Sequence, residues 1–143
     1  MATRNGSAEW KGSLQEGTGQ VTVGDDVYTG AFSFKSRFED ENGTNPEELV
    51  AAAHAACFSM ALSAVLGEDG HTPESIRTSA RAQLRPVDGQ PTIVAMALKT
   101  EGKVPGIDEA TFKEYAEKAK AGCVISRALG GVDEITLETT FAS

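Results

Sequence analysis

The 143-residue chain is poor in cysteine and in positive charge, and each shortage closes off a class of function. Two cysteines, Cys57 and Cys123, are too few for the disulfide framework of a small secreted domain. Thirteen Lys and Arg against 21 Asp and Glu leave a net charge of -8, which repels phosphate. Neither nucleic acid nor an anionic membrane is therefore expected as a partner. The opening Met-Ala-Thr-Arg-Asn-Gly has no apolar stretch behind its arginine, so no secretory signal is read there. Leu49 to Leu66 comes nearest to a membrane span, but it is Ala-rich and interrupted by His54, Ser59 and Ser63, which predicts a buried helix. The expected compartment is the cytosol, where a disulfide is transient and catalytic. The length suits one domain, 1–143, able to bury about 70% of its unfolded surface.

What is present is an ordered set of short patterns. Ala8 to Ser13 and Gly19 to Val23 read as strands, and Phe32, Phe34 and Phe38 share one face of a third, with Ser33, Lys35 and Arg37 opposite. A long helix then opens on a capping Asn45, with Pro46 in the first turn and Glu47 and Glu48 at the positive end of the dipole. Gly67 reads as its stop. Apolar residues occupy nearly every angle of this helix, so it needs cover on all sides. Ile76 to Arg85 alternates as a strand with one wet face, Asp88-Gly89 sits in a turn, and Thr92 to Thr100 returns. A second helix is predicted from a cap at Asp108 to about Ala121, with Phe112, Tyr115, Ala116 and Ala119 on its inner face. A short helix, Val124 to Leu129, and a strand through Ile135, Leu137, Thr139 and Phe141 complete the chain. The order β-β-β-α-β-β-α-β repeats no βαβ unit, which makes the class α+β.

The chemistry centres on Cys57. A thiol in mid-helix is either a small core hydrophobe or a nucleophile, and a nucleophile needs a cation or dipole to bring its pKa below about 8.5. The N-terminal dipole fades within the first turn, twelve residues back, so the cation must come from elsewhere; Arg37 is the candidate. His54, three residues before Cys57, lies on the same helical face and offers a Cys-His pair of the hydrolase type, although no acid or amide is placed to orient it. A metal site from His54, Cys57, His71 and Cys123 matches no compact ligand spacing. Cys123 stands at the start of the short helix, whose dipole favours its thiolate.

Gly43-Thr44-Asn45-Pro46-Glu47-Glu48-Leu49, followed by Ala52-Ala53-His54-Ala55-Ala56-Cys57-Phe58-Ser59-Met60-Ala61-Leu62-Ser63, resembles the OsmC branch of the OsmC/Ohr family. So do Ala8-Glu9-Trp10-Lys11-Gly12, Ser36-Arg37-Phe38-Glu39, Val104-Pro105-Gly106-Ile107-Asp108 and Lys118-Ala119-Lys120-Ala121-Gly122-Cys123, which spreads the resemblance over nearly the whole chain. The resemblance implies antiparallel strands with a long buried central helix, in an intertwined homodimer. It implies a thiol-dependent peroxidase that reduces organic hydroperoxides, and hydrogen peroxide less well. Cys57 matches the peroxidatic cysteine and Cys123 the resolving one. Arg37 matches the arginine that activates the thiolate, and Glu47 the glutamate that orients it. The implied partners are a hydroperoxide and a dithiol reductant, the lipoyl type among the candidates, with no cofactor and no metal. The Ohr branch typically carries an aromatic residue where this chain has His54, which argues against an essential base there. One departure is Val124, where the family commonly has Pro; its loss is expected to loosen the loop that carries Cys123.

Two other readings remain beside the peroxidase: a non-enzymatic OsmC-type dimer that binds a small apolar ligand, and a Cys-dependent hydrolase using His54. Helix geometry adds a further expectation. Glu47 and Cys57 are ten residues apart, about 15 Å along one helix, so an antiparallel pair of copies about Ala52 would bring Glu47 of one chain level with Cys57 of the other.

Overall fold

The computed structural model describes residues 2–142, which fall into two compact units divided before Val50. The first is a three-stranded antiparallel meander of β1 (Gly6–Lys11), β2 (Thr18–Val23) and β3 (Tyr28–Phe32), in that order. The phenylalanine segment then departs from the expected third strand. Only Phe32 ends β3, and Phe34–Phe38 is a short helix, α1. Ser33 caps it: its hydroxyl accepts from the Ser36 N–H while Ser36 Oγ accepts from the Ser33 N–H, a reciprocal box that a strand could not form. Phe34 and Phe38, four apart, then stack on one helical face with ring centroids 5.0 Å apart.

The long helix α2 runs Pro46–Glu68 and begins as its punctuation predicts, with Asn45 Oδ1 accepting from the Glu48 N–H at 2.8 Å. Its end lies later than Gly67. The His71 N–H bonds Leu66 O and the Gly70 N–H bonds Gly67 O, the paired closure of a Schellman turn, with Gly70 at φ 79°.

The second unit packs α2 beyond Val50 against a sheet of β4 (Ser75–Val87), β5 (Gln90–Lys103) and β6 (Glu134–Ala142), with β5 central. The β4–β5 hairpin closes on Asp88-Gly89, both at positive φ as a two-residue primed turn requires, and a bulge at Gln83/Leu84 bends it. As the alternation predicts, Ile76, Thr78 and Ala80 turn inward while Arg77, Ser79 and Arg81 face out. The other pairings are antiparallel, but β6 lies parallel to β5, and α3 (Glu109–Gly122) with α4 (Val124–Ala128) supplies the crossover this needs. The α3 cap is Asp108, as read, accepting from the Thr111 N–H at 2.8 Å. Phe112, Ala116 and Ala119 of α3 are buried with Phe58, Leu62 and Leu66 of α2 and Leu98 of β5. At Gly102 on β5 a Cβ would collide with the Phe112 ring, so the absent side chain there is what lets α3 sit close to the sheet.

Only His54, Phe58, Leu62 and Leu66, spaced four apart, are buried on α2; Met60 is 76% exposed. By length and hydropathy alone this helix could cross a bilayer, yet its buried stripe packs on the core of its own unit. Cys57, Ala61 and Val65 beside that stripe are partly buried on the same core, while Ala52, Ala53, Ala56 and Ala64 are exposed with Met60.

Candidate active site

Four residues singled out in the sequence form two pairs, one in each unit. In the first, Arg37 and Glu47 meet in a fork. Arg37 Nη2 donates to Glu47 Oε1 at 2.6 Å, and Nε donates to the two carboxylate oxygens at 3.0 and 3.2 Å. This is bidentate recognition, which sets the plane of the guanidinium as well as its position. Glu47 is mostly buried, whereas the Arg37 side chain keeps 40% of its surface open. Because Phe38 belongs to a helix, Arg37 does not face away from the phenylalanines as a strand would require; its Cζ lies 5.2 Å from the Phe38 ring centroid. Beside it, Trp10, Leu14, Phe32, Phe34 and Phe38 line an apolar cavity of about 230 Å³ that Arg37 also borders. The phenylalanines were visible in the sequence, but Trp10 and Leu14 join them only through the folding of the meander.

The second pair is Cys57 of α2 and Cys123, which caps the end of α3 and the start of α4 at once. Both are free thiols in the same cluster, Cys123 within it at 1% exposed and Cys57 packed against it and partly open. Burial is the largest influence on Cys57 and pushes its thiol up; the Cys123 sulfur pushes the same way, against the backbone N–H groups of Ile125 and Val124. Burial pushes Cys123 up too. There the N–H groups of Ser126 and Ile125, the Cys57 thiol and the Ser126 hydroxyl outweigh it, and Cys123 comes out lowered. Within this unit Cys123 is thus favoured over Cys57 as the thiol that ionises. A lowered Cys57 requires a cation that the influences acting inside this unit do not include.

His54 is fully buried and turns to Ser126, with Nε2 2.7 Å from Ser126 Oγ, rather than serving Cys57 as a base. Burial holds it below the usual 6.5 and therefore neutral. Ser126 escaped the sequence reading; the available signal was its place three residues after Cys123, on the same turn of α4. Val124 is exposed at the start of α4, and Cys123 keeps φ -59° and ψ 126°, the extended geometry that a following Pro would impose. Among the described residues no three His, Cys, Asp or Glu side chains cluster to hold a metal.

With this geometry in view, the sequence profile of the OsmC-like protein family matches residues 39–138. The chain belongs to the OsmC family. It is 51% identical over 136 residues to peroxiredoxin OsmC of Escherichia coli (strain K12), covering 94% of each chain. It is 34% identical over 97 residues to the organic hydroperoxide resistance protein of Xanthomonas axonopodis pv. citri (strain 306), covering 67% of this chain and 66% of the relative. Its fold matches that of an OsmC-like protein from Mycoplasma pneumoniae, with TM-score 0.77 and 17% identity over 99% of both chains. The α+β architecture of the OsmC family thus holds here with its long helix. The family match spans the boundary between the two units; Glu47, Cys57 and Cys123 lie inside the matched segment and Arg37 just before it.

Proposed function

We propose that this OsmC-family protein is a thiol-dependent peroxidase that reduces organic hydroperoxides, and hydrogen peroxide less well. The observation that carries the reading is the placement of two free thiols at one core cluster, one partly open and one buried. In the first step the Cys57 thiolate attacks the distal peroxide oxygen. The S–O bond forms, the O–O bond breaks, and the departing alkoxide takes a proton to leave as alcohol. The Cys123 thiolate then attacks the Cys57 sulfenic sulfur; the S–S bond forms, and hydroxide departs and is protonated to water. A dithiol, the lipoyl type among the candidates, returns two electrons by exchange. Arg37 serves as the cation that Cys57 lacks and as a donor to oxygen as charge develops, with Glu47 fixing its plane. The apolar cavity beside Arg37 suits the carbon portion of an organic peroxide.

The active form in this reading is a homodimer, each chain acting as one OsmC-like domain in the cytosol. Two features support it: the uncovered apolar surface of α2, and a first unit with no fully buried hydrophobic side chain among the described residues. Arg37 and Glu47 are already joined within one chain, so an antiparallel pairing of two α2 helices would carry both together toward the partner's Cys57. Isolated heterodimers of Cys57→Ser with Glu47→Ala would then recover about half of wild-type activity, the share of one intact site in two.

The decisive experiment is intact-mass analysis after one equivalent of an organic hydroperoxide. Wild type should lose about 2 Da as two thiols become a disulfide, and Cys123→Ser should gain one oxygen and then a second under excess peroxide. No mass change would overturn the peroxidase and favour a dimer that binds an apolar ligand in the cavity without chemistry.

A further inference from the structure

His54 is fully buried and takes no part in the steps above. Its Nε2 meets Ser126 Oγ across 72 residues of sequence, while its Nδ1 is buried without a partner. An orphaned N–H is rarer in buried sites than an under-used acceptor, so Nδ1 is the bare lone pair and Nε2 carries the proton. His54 therefore donates to Ser126 Oγ. A hydroxyl that accepts this bond has its own O–H free to give, and Ser126 stands three residues after Cys123, the cap of α4, within the same helical turn, where its hydroxyl acts to lower the Cys123 thiol. Imidazole, hydroxyl and sulfur thus follow one another at this turn.

We propose that Ser126, aimed by His54, is a positioning residue for the resolving step: its O–H donates to the Cys123 thiolate and holds that sulfur toward Cys57. The proposal rests on the peroxidase reading and adds a device that treats the two cysteines differently. Arg37 would serve the thiolate that meets peroxide, and the His54–Ser126 pair serves the one that closes the disulfide. The surroundings favour a hydroxyl for this purpose. Cys123 belongs to an otherwise apolar cluster that includes Phe58, Leu62, Ala116 and Ala119, and the titratable groups facing it are Cys57 directly and His54 through Ser126. A neutral hydrogen-bond chain stabilises the thiolate there without introducing a second buried charge. His54 transfers no proton; the hydroxide released from Cys57 is neutralised by the proton that Cys123 gave to solvent on becoming a thiolate.

The test separates formation of the sulfenate from closure of the disulfide. Reduced full-length protein is mixed with one equivalent of tert-butyl hydroperoxide, quenched at intervals and weighed. In Ser126→Ala, oxygen addition should keep its rate within about twofold while closure slows about tenfold, the scale of one lost hydrogen bond to a charged group. His54→Phe should slow closure in the same direction, and His54→Gln, whose amide N–H reaches near the position of Nε2, should restore most of it. In a Cys57→Ser background, the rate of Cys123 alkylation by iodoacetamide against pH should move to higher pH on Ser126→Ala. Unchanged closure with an unmoved alkylation profile in Ser126→Ala would overturn the proposal. So would His54→Gln behaving like His54→Phe, because packing alone would then explain both. If wild type forms no sulfenate, the peroxidase reading fails, and the alkylation profile still judges the hydrogen bond to Cys123.

Discussion

The two units solve opposite problems. Residues 50–142 build a core in which Phe58, Phe112, Met96 and Leu98 are nearly or fully buried and Cys123 is sealed among its neighbours. Residues up to Leu49 leave Leu14 at 65%, Val27 at 84% and Phe38 at 48% exposure, and hold their functional cation in a half-open ion pair. Burial leaves the Cys57 thiol harder to ionise, whereas the Arg37 guanidinium is always charged and is held by the Glu47 fork. The proposed chemistry draws on one pair from each unit.

The largest way to break the comparison is to remove the nucleophile. Cys57→Ser should lower peroxide turnover by about a thousandfold or more with an unchanged far-ultraviolet circular dichroism spectrum, since a hydroxyl is not ionised at neutral pH. Next, Arg37→Ala should reduce kcat/KM by about a hundredfold, the scale of one lost charge-stabilising donor group. It should also move Cys57 alkylation to higher pH, toward the raised value that its own unit imposes; Arg37→Lys should recover part of the rate, because a point charge cannot reproduce the fork. An alkylation profile indifferent to Arg37 would show that the two units do not complete each other.

A charge on the exposed face of α2 addresses the assembly. Light scattering of wild type should report about twice the 15.0 kDa chain mass, and Met60→Lys should shift the population toward monomer at micromolar concentration. A wild-type monomer would sink the dimer. The smallest effect concerns His54. Its folded pKa is lowered, so the unfolded chain binds the proton more readily; stability should be fully retained above about pH 6.5 and lost progressively as pH falls from there toward the folded value. The loss should not exceed about 1.4 kcal/mol per pH unit and should vanish in His54→Gln, as urea titrations at pH 7.5 and 5.5 would show.

Local signals carried most of the elements and failed where a polar cap or a distant pairing decided the outcome. The start of α2 was legible because Asn45, Pro46, Glu47 and Glu48 each act on groups within one turn. Helix α1 was missed because phenylalanines at 32 and 34 imitate a strand, while the Ser33–Ser36 box that decides the matter is polar and quiet. Parallel pairing of β6 could not be read locally, since register between β5 and β6 is settled by how two intervening helices pack. At the site, the resemblance assigned Cys57, Cys123, Arg37 and Glu47, and the geometry adds their pairing. The His54–Ser126 bond spans 72 residues and leaves no periodic trace, so only the folded chain reveals it.

Gly102 has a consequence that reaches well beyond the sheet. It seats Phe112 in the first turn of α3, and Cys123 ends that same helix eleven residues later, about 16 Å along its axis. The helix behaves as a stiff lever with its fulcrum at a missing methyl group and a sulfur at its tip. A side chain at Gly102 would tilt the lever, and the misalignment would be felt between two thiols that it never touches.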